Sequence, residues 1–452
     1  MLSLLAACSS GSAGHAPATP ADHTAAPRNL FESSDRPYLV DPMTGYPLVA
    51  DGSVTTEIEK AFSALFDRGD TRTARETASR LLTTEPGFHP AQVLAAQTDF
   101  AAGQVEAALE RLRPVGAELP AYTAARLLEG RAAERLDDVL GAYRAYRAVA
   151  EIDPTAAARE ATIRDRAFEV LYNRTLDGIE RGRLDVAEAS VADLTTWAPD
   201  DPLALAAVAE LSAARGERRE ELAAVRRLAG LYPDDRGWQE RRAGLEVVVG
   251  NPREGVQILR RLVAQFPEDV QLADRLEGAK FRWRLSLQPA EVQDRARQAE
   301  LTRGDFAVLL YWLVPGVRYA RAESGRIAVD ILDHPDQEAL ARVINLGLMN
   351  VDESLHRFEP ERPVRRSEVL RALLRSLELQ PALPTCLAGG LSPRPSSQTL
   401  CDLGARCRLL DSAADCLPEA AASGPDALEM LRRSQRLMVG GQDGGSRTVG
   451  GQ

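Results

Sequence analysis

Between residues 55 and 285, apolar positions return every three or four residues, as in "AARLLEGRAAERLDDVLGAYRAYRAVAEIDP", with polar residues filling the gaps. That spacing predicts a succession of amphipathic helices. The interruptions are regular. Pro86, Pro120 and Pro154 stand 34 residues apart, and so do Pro199, Pro233 and Pro267. The single longer gap, 45 residues, is the same 34 with 11 inserted around "TAAAREATIRD". Seventeen residues ahead of each proline stand Gly69, Gly103, Asp137, Gly182, Gly216 and Gly250. Twelve ahead stand Ala74, Ala108, Ala142, Ala187, Glu221 and Gly255. A glycine ends one helix, because a left-handed backbone costs it nothing. A small residue lets two antiparallel helices approach closely, and a proline stops the second helix. Glu221 is the exception, a long carboxylate where close packing asks for a small side chain.

Each unit is then a helical hairpin that buries its apolar face only by stacking on its neighbours. With this period and these markers, the segment resembles tetratricopeptide repeats, six of them, closed by a capping helix in "EDVQLADRLEGAKFRWRL". The resemblance implies an all-α helical-hairpin solenoid over residues 55–285, with a concave groove for a protein or peptide partner. It puts Gln97, Arg131, Tyr172 and Glu210 on first helices facing that groove. The Lys and Asn with which the family's best-known groove holds a terminal carboxylate are missing at the comparable places, so that ligand class is not expected. A stack serving only as a spacer or self-association scaffold is the alternative.

After about residue 286 the period stops and two other stretches echo each other, "LTRGDFAVLLYWL" at 301–313 and "VRRSEVLRALLRSL" at 364–377. Between them come Asp330, a helix ending at Gly347, and a loop carrying Phe358 and Pro360. This order resembles an S-layer homology module, and residues 286–440 are expected to form a small, mostly helical domain of that kind. A third, degenerate copy is expected in "DLGARCRLLDSAADCLPEAAASGPDALEMLRRSQRL". The resemblance implies that Arg303, Asp305, Arg366 and Glu368 line a groove for peptidoglycan or another anionic cell-wall polymer, since a guanidinium fork suits carboxylate or phosphate. Arg365 stands where the family usually has Thr, and Pro335 replaces an aromatic residue. The local alternative is that the acids cap their helices and the arginines pair with them.

Charge narrows the partners. The net charge is −11, with acidic and basic residues interleaved and no basic stripe, so a nucleic-acid partner is not expected. Cys386, Cys401, Cys407 and Cys416 cluster near the C-terminus, and Cys8 stands apart. Four cysteines in a short Pro/Gly-rich stretch predict two disulfides, with three pairings open, and an oxidising compartment. A zinc site is the rival, but the gaps hold no C-x₂-C knuckle and no His is near.

"MLSLLAACSS" resembles a bacterial lipobox, which implies cleavage before Cys8 and lipidation of its thiol. Only seven uncharged residues precede Cys8, fewer than an export signal needs, so the true start is expected upstream. Residues 1–8 would be the signal remnant, 9–54 a disordered linker and lead-in, and 441–452 a disordered tail. In the lipoprotein resemblance, Ser9 after the cysteine implies sorting to the outer membrane, facing the periplasm. The five histidines, two of them in the leading segment, form no catalytic constellation, and there is no phosphate loop. The expectation is a non-enzymatic envelope lipoprotein with neither cofactor nor metal, held to the membrane by its N-terminal lipid. Its rival is a structural scaffold subunit of an outer-membrane assembly or secretion complex without glycan binding.

Overall fold

The computed structural model describes residues 31–40, 47–48, 52–321, 325–326, 328–380 and 383–439. Cys8 and the tail 441–452 lie outside the described residues. The chain is all-α and divides into two compact units, residues 1–207 and 208–452.

The first unit holds α1 (Gly52–Arg68), α2 (Thr71–Thr84), α3 (His89–Ala101), α4 (Val105–Glu118), α5 (Thr123–Arg135), α6 (Val139–Arg147), α7 (Pro154–Glu180) and α8 (Leu184–Trp197). These are four successive hairpins with the expected period. Gly69, Gly103 and Gly182 sit at positive φ in the bend of their hairpins, and Asp137 takes the same conformation at φ 59. Pro86, Pro120 and Pro199 each follow a second helix by two residues, whereas Pro154 opens α7 as its first residue. Asp70, Asp138 and Asp153 accept the amide of the residue three ahead and so cap α2, α6 and α7. Ala74, Ala108, Ala142 and Ala187 are fully buried where paired helices meet.

The 11-residue insertion lengthens α7 to 27 residues. Eleven residues are close to three turns, so the added length leaves the buried face, with Ala167, Phe168, Leu171 and Thr175, in register.

The boundary helix α9 (Pro202–Arg215) is followed in the second unit by α10 (Arg218–Leu231), α11 (Arg236–Val248), α12 (Pro252–Gln265) and α13 (Val270–Ser286). Gly216 bends left-handed as expected, but Gly250 does not. Gly250 sits instead where a Cβ would crowd the Glu246 carboxylate and the end of the Leu222 side chain. α13 caps the repeats on one face and gives Phe281 and Leu285 to the core that follows.

That core belongs to α14 (Ala290–Arg295), α15 (Arg303–Leu313), α16 (Pro315–Tyr319), α17 (Gln337–Asn345), α18 (Arg366–Glu378), α19 (Ser397–Arg406) and α20 (Gly424–Val439). Leu301, Val364 and Ala422 each stand two residues before a helix, and they form a closed ring. Leu301 N–H donates to Ala422 O, Ala422 N–H to Val364 O and Val364 N–H to Leu301 O, each at 2.9 Å. The pattern is internally threefold, with "LTRGD", "VRRSE" and "ASGPD" in equivalent places. Gly304 N–H donates to Pro360 O and Ser367 N–H to Pro418 O, so Cys416-Leu417-Pro418 occupies the place of Phe358-Glu359-Pro360. Of the three pairings left open, the chain makes Cys386–Cys407 and Cys401–Cys416. Cys416 fills a buried position equivalent to that of Phe358, and the bridges tie α19 into a third copy with little aromatic core.

Candidate partner-binding site

In the first unit the first helices of the hairpins are α1, α3, α5 and α7. A segment ahead of the repeats lies across all four. Residues 31–40, expected from sequence to be part of a linker, bury Phe31, Asp35 and Pro37 while Glu32, Ser33, Arg36 and Val40 stay exposed. The Phe31 ring centroid is 5.9 Å from that of Phe66 on α1 and 6.4 Å from that of Phe100 on α3. A short 3₁₀ turn, Ser33–Asp35, then aims the Asp35 carboxylate inward. Its Oδ1 accepts from Arg131 Nη2 on α5, and its Oδ2 accepts from Glu32 N–H at 2.7 Å. A buried carboxylate is costly unless it is both paired and hydrogen-bonded, and here it is.

The main chain of the segment is held as well. Gln97 Nε2 on α3 donates to Asp35 O at 2.6 Å, and Tyr122 Oη, at the start of α5, donates to Tyr38 O at 2.7 Å. The Tyr38 ring stands edge-on to Tyr122 at 5.1 Å, and Ser34 Oγ lies 3.2 Å from Thr155 Oγ1 on α7. Burial pushes both phenols up, Tyr122 far above the ordinary tyrosine range. Gln97 and Arg131 lie on α3 and α5, and both hold the chain's own segment rather than an open groove. Phe31, Asp35, Tyr38 and Tyr122 escaped the sequence reading. The available signal was the change at residue 31 from Ala/Pro/Thr-rich sequence to "FESSDRPYLV".

The other two expected groove residues differ. Tyr172 is half-buried on α7. In the second unit Glu210 is spent within the repeats: Arg241 on α11 donates Nη1 to Glu210, Nε to Glu221 Oε1 at 2.9 Å and Nη2 to Ala209 O. Arg218 takes the other Glu221 oxygen at 2.7 Å. Guanidinium groups therefore satisfy the buried carboxylate of Glu221 at the position where its neighbours carry Ala or Gly. The same device recurs one repeat on, where fully buried Glu246 accepts from Arg226 at 2.7 and 2.8 Å and from Asn251 N–H at 2.9 Å. Burial raises the Glu246 carboxyl, but the Arg226 and Asn251 bonds outweigh it and leave the pKa below the usual range.

Of the four residues expected to meet a wall polymer, Arg303, Glu368 and Arg366 face a neighbouring copy, and Asp305 serves its own helix. Arg303 is buried and fully engaged: Nε donates to Phe358 O at 2.8 Å, Nη2 to Asn350 O and Nη1 to Glu368 of the next copy. Its guanidinium also lies 4.7 Å from the Phe358 ring centroid. Glu368 additionally accepts from Arg362 at 2.7 Å and from Arg365 N–H at 3.0 Å. Asp305 caps α15 through Thr302 N–H and accepts from Arg295 at 3.0 Å. Arg366 points the same way round the ring, 3.9 Å from Asp426 of the third copy. The third arginine is replaced by Gly424, where a Cβ would lie 2.5 Å from Ala296 O. Arg366 lines a cavity of about 150 Å³ shared with Asp411, Asp415, Asp426, Glu429 and Arg433, so carboxylates outnumber guanidinium groups there. Among the described residues no group of three or more His, Cys, Asp or Glu is arranged to hold a metal ion.

No protein-family model matches the chain, and no curated protein matches it. Solved structures do. The chain is similar to a tetratricopeptide repeat protein from Parabacteroides merdae ATCC 43184, at 17% identity over 52% of this chain and 92% of that one, with a TM-score of 0.21. It is similar to the P58(IPK) TPR domain at 14% identity over 87% of this chain and all of that one, with a TM-score of 0.28. PilW, a widely conserved type IV pilus biogenesis factor, matches at 16% identity over 50% of this chain and all of that one, with a TM-score of 0.23. Scores this low carry no argument of their own; the repeat assignment stands on the helices described above.

Proposed function

We propose that this chain is a non-enzymatic interaction scaffold of the bacterial cell envelope, exported, lipid-anchored at Cys8, and binding segments of partner proteins on the inner side of its repeats. The observation that carries the reading is the seat of residues 31–40. The inner side of the first unit takes an extended segment through a buried aromatic residue, a buried carboxylate and two main-chain carbonyls. Receptors of that kind support the reading that this face binds peptide segments. Two disulfides in the C-terminal region favour an oxidising compartment, and hence export. With a lipid at one end and a partner on the repeats, the chain would gain avidity by holding both at once.

The C-terminal region is read as a braced terminal block of the scaffold. Two of its four expected glycan-contacting residues, Arg303 and Glu368, meet at a joint between copies, and Asp305 caps its own helix. The wall-polymer reading therefore rests on Arg366, which opens onto an acidic cavity. If that reading holds, Arg366→Ala abolishes pelleting with purified cell wall; the scaffold reading expects no pelleting by the wild type.

Partner binding is tested by placing a photoreactive side chain at Tyr172, on a first helix, and at Glu110, exposed on the second helix α4, in cells that make the protein. Discrete adducts from Tyr172 and none from Glu110 are expected. Equal adduct patterns, or none from either position, would reduce the repeats to a spacer.

A further inference from the structure

The seat of residues 31–40 has the character of an exchangeable ligand. Its receptors, Gln97, Arg131 and Tyr122, belong to helices already tied into their own hairpins. Gln97, Arg131 and Tyr122 meet the segment through the hydrogen bonds described above, and Phe31 adds its ring packing on Phe66 and Phe100. Arg131 is buried and meets a carboxylate, so the site selects for an acid, because a buried cation left unpaired is costly. Gln97 and Tyr122 reach main-chain carbonyls three residues apart in the segment, which selects for a stretch of chain whose carbonyls stand clear. Phe66 and Phe100 receive an aromatic ring four residues before the acid. The fit is also incomplete. Gln97 is fully buried, its Nε2 is bonded to the segment, and its Oε1 has no hydrogen-bond partner among the described residues. An incoming segment that offers an N–H at that point relieves a cost which residues 31–40 leave standing.

We propose that residues 31–40 are an internal occupant of the partner site, and that a partner enters by exchange, presenting an aromatic residue, a carboxylate four positions later and a Pro-aromatic pair beyond it. This rests on the reading of the repeats as a partner-binding face, and it adds the chemistry of the partner and the means of control. The occupant is part of the same chain, so its local concentration is high and it screens out weak competitors. A partner succeeds in proportion to how much better it satisfies Arg131 and Gln97.

The test uses the full chain and a fluorescent synthetic peptide, FESSDRPYLV. Phe31→Ala with Asp35→Ala weakens the internal occupant and leaves its receptors intact. The peptide is expected to bind this double variant at least tenfold more tightly than the wild type. Adding Arg131→Ala, or changing the peptide's Asp to Asn, is expected to remove that gain. Equal binding to wild type and double variant, or binding indifferent to Arg131→Ala, overturns the proposal. Hydrogen exchange on the wild type guards against a variant that does not fold: residues 31–40 should exchange at least tenfold faster than α3 and α5. Equal rates would make the segment an integral part of the repeats and overturn exchange. Wild-type dimers that dissociate on adding the peptide would assign the face to a second copy and overturn the partner assignment. Because the peptide reports exchange in the absence of any partner, this result is separable from a failure to find adducts at Tyr172 in cells.

Discussion

Arg303 and Arg366 occupy equivalent places in two copies of one motif, yet their surroundings give them different weights. Arg303 donates to two carbonyls and to Glu368 from a buried position, and burial lowers its pKa from the usual arginine value. Removing it leaves Glu368 short of a partner and strands both carbonyls, so Arg303→Ala should cost about 3–5 kcal/mol, read from denaturant or thermal unfolding. Arg303→Lys should recover little, since one ammonium cannot span three acceptors set for a fork. Arg366, partly exposed and 3.9 Å from Asp426, should cost less than about 1 kcal/mol when changed to Ala. Equal costs would mean that the ring of joints does not distinguish the copies as described. Glu246 gives a pH prediction. Its folded pKa lies below the ordinary 4.5, so its contribution is present above 4.5 and is lost as pH falls through the lower folded value. Glu246→Gln should therefore flatten the loss of stability below about pH 4.5. An unchanged acid limb would show that the Arg226 pairing contributes nothing to folding.

At the scale of elements, α7 and α19 show how far local rules reach. α7 carries 11 extra residues and keeps its buried face, because 11 residues return the helix to nearly the same rotation. Deleting 155–165 should leave a folded chain with a modest loss of stability. Deleting only 155–163 turns the remaining face by about half a turn and should unfold the fourth hairpin, as circular dichroism melts would report. The smaller deletion being the better tolerated would contradict the helical register. α19 is held at Cys401 and Cys407 by bridges to Cys416 and Cys386. Replacing Cys401 and Cys416 together by Ser should cost about 2–5 kcal/mol, confined to the C-terminal region in hydrogen exchange. Protection lost equally in the repeats would contradict that division.

What could be read from sequence at this scale was what short-range chemistry writes. Proline and glycine punctuation placed six hairpins and the capping helix, because those residues act on their own backbone. The pairing of the cysteines was not legible, since it depends on how residues 386–416 fold back on one another. Nor was the role of Asp35, whose partner stands 96 residues away and whose own segment shows no period. The third copy was expected, but with Gly424 in the place of the arginine that marks the other two, its register was not legible. The equivalence becomes plain only once Ala422 is seen bonded to Leu301 and Val364.

At the scale of the whole chain, the parts make one account only if the protein is exported. In this proposal the repeats hold a partner, the bridged cysteines favour an oxidising compartment, and Cys8 is where lipid would be attached. No helix among the described residues is long and apolar enough to cross a membrane. The measurement that tests this account most directly is the intact mass of the native protein taken from the cells that make it, with and without reduction. The account predicts a mature chain beginning at Cys8 with added acyl mass, gaining about four daltons on reduction as two disulfides require. An unmodified chain that keeps its residues ahead of Cys8, with all four C-terminal cysteines as thiols, would contradict it.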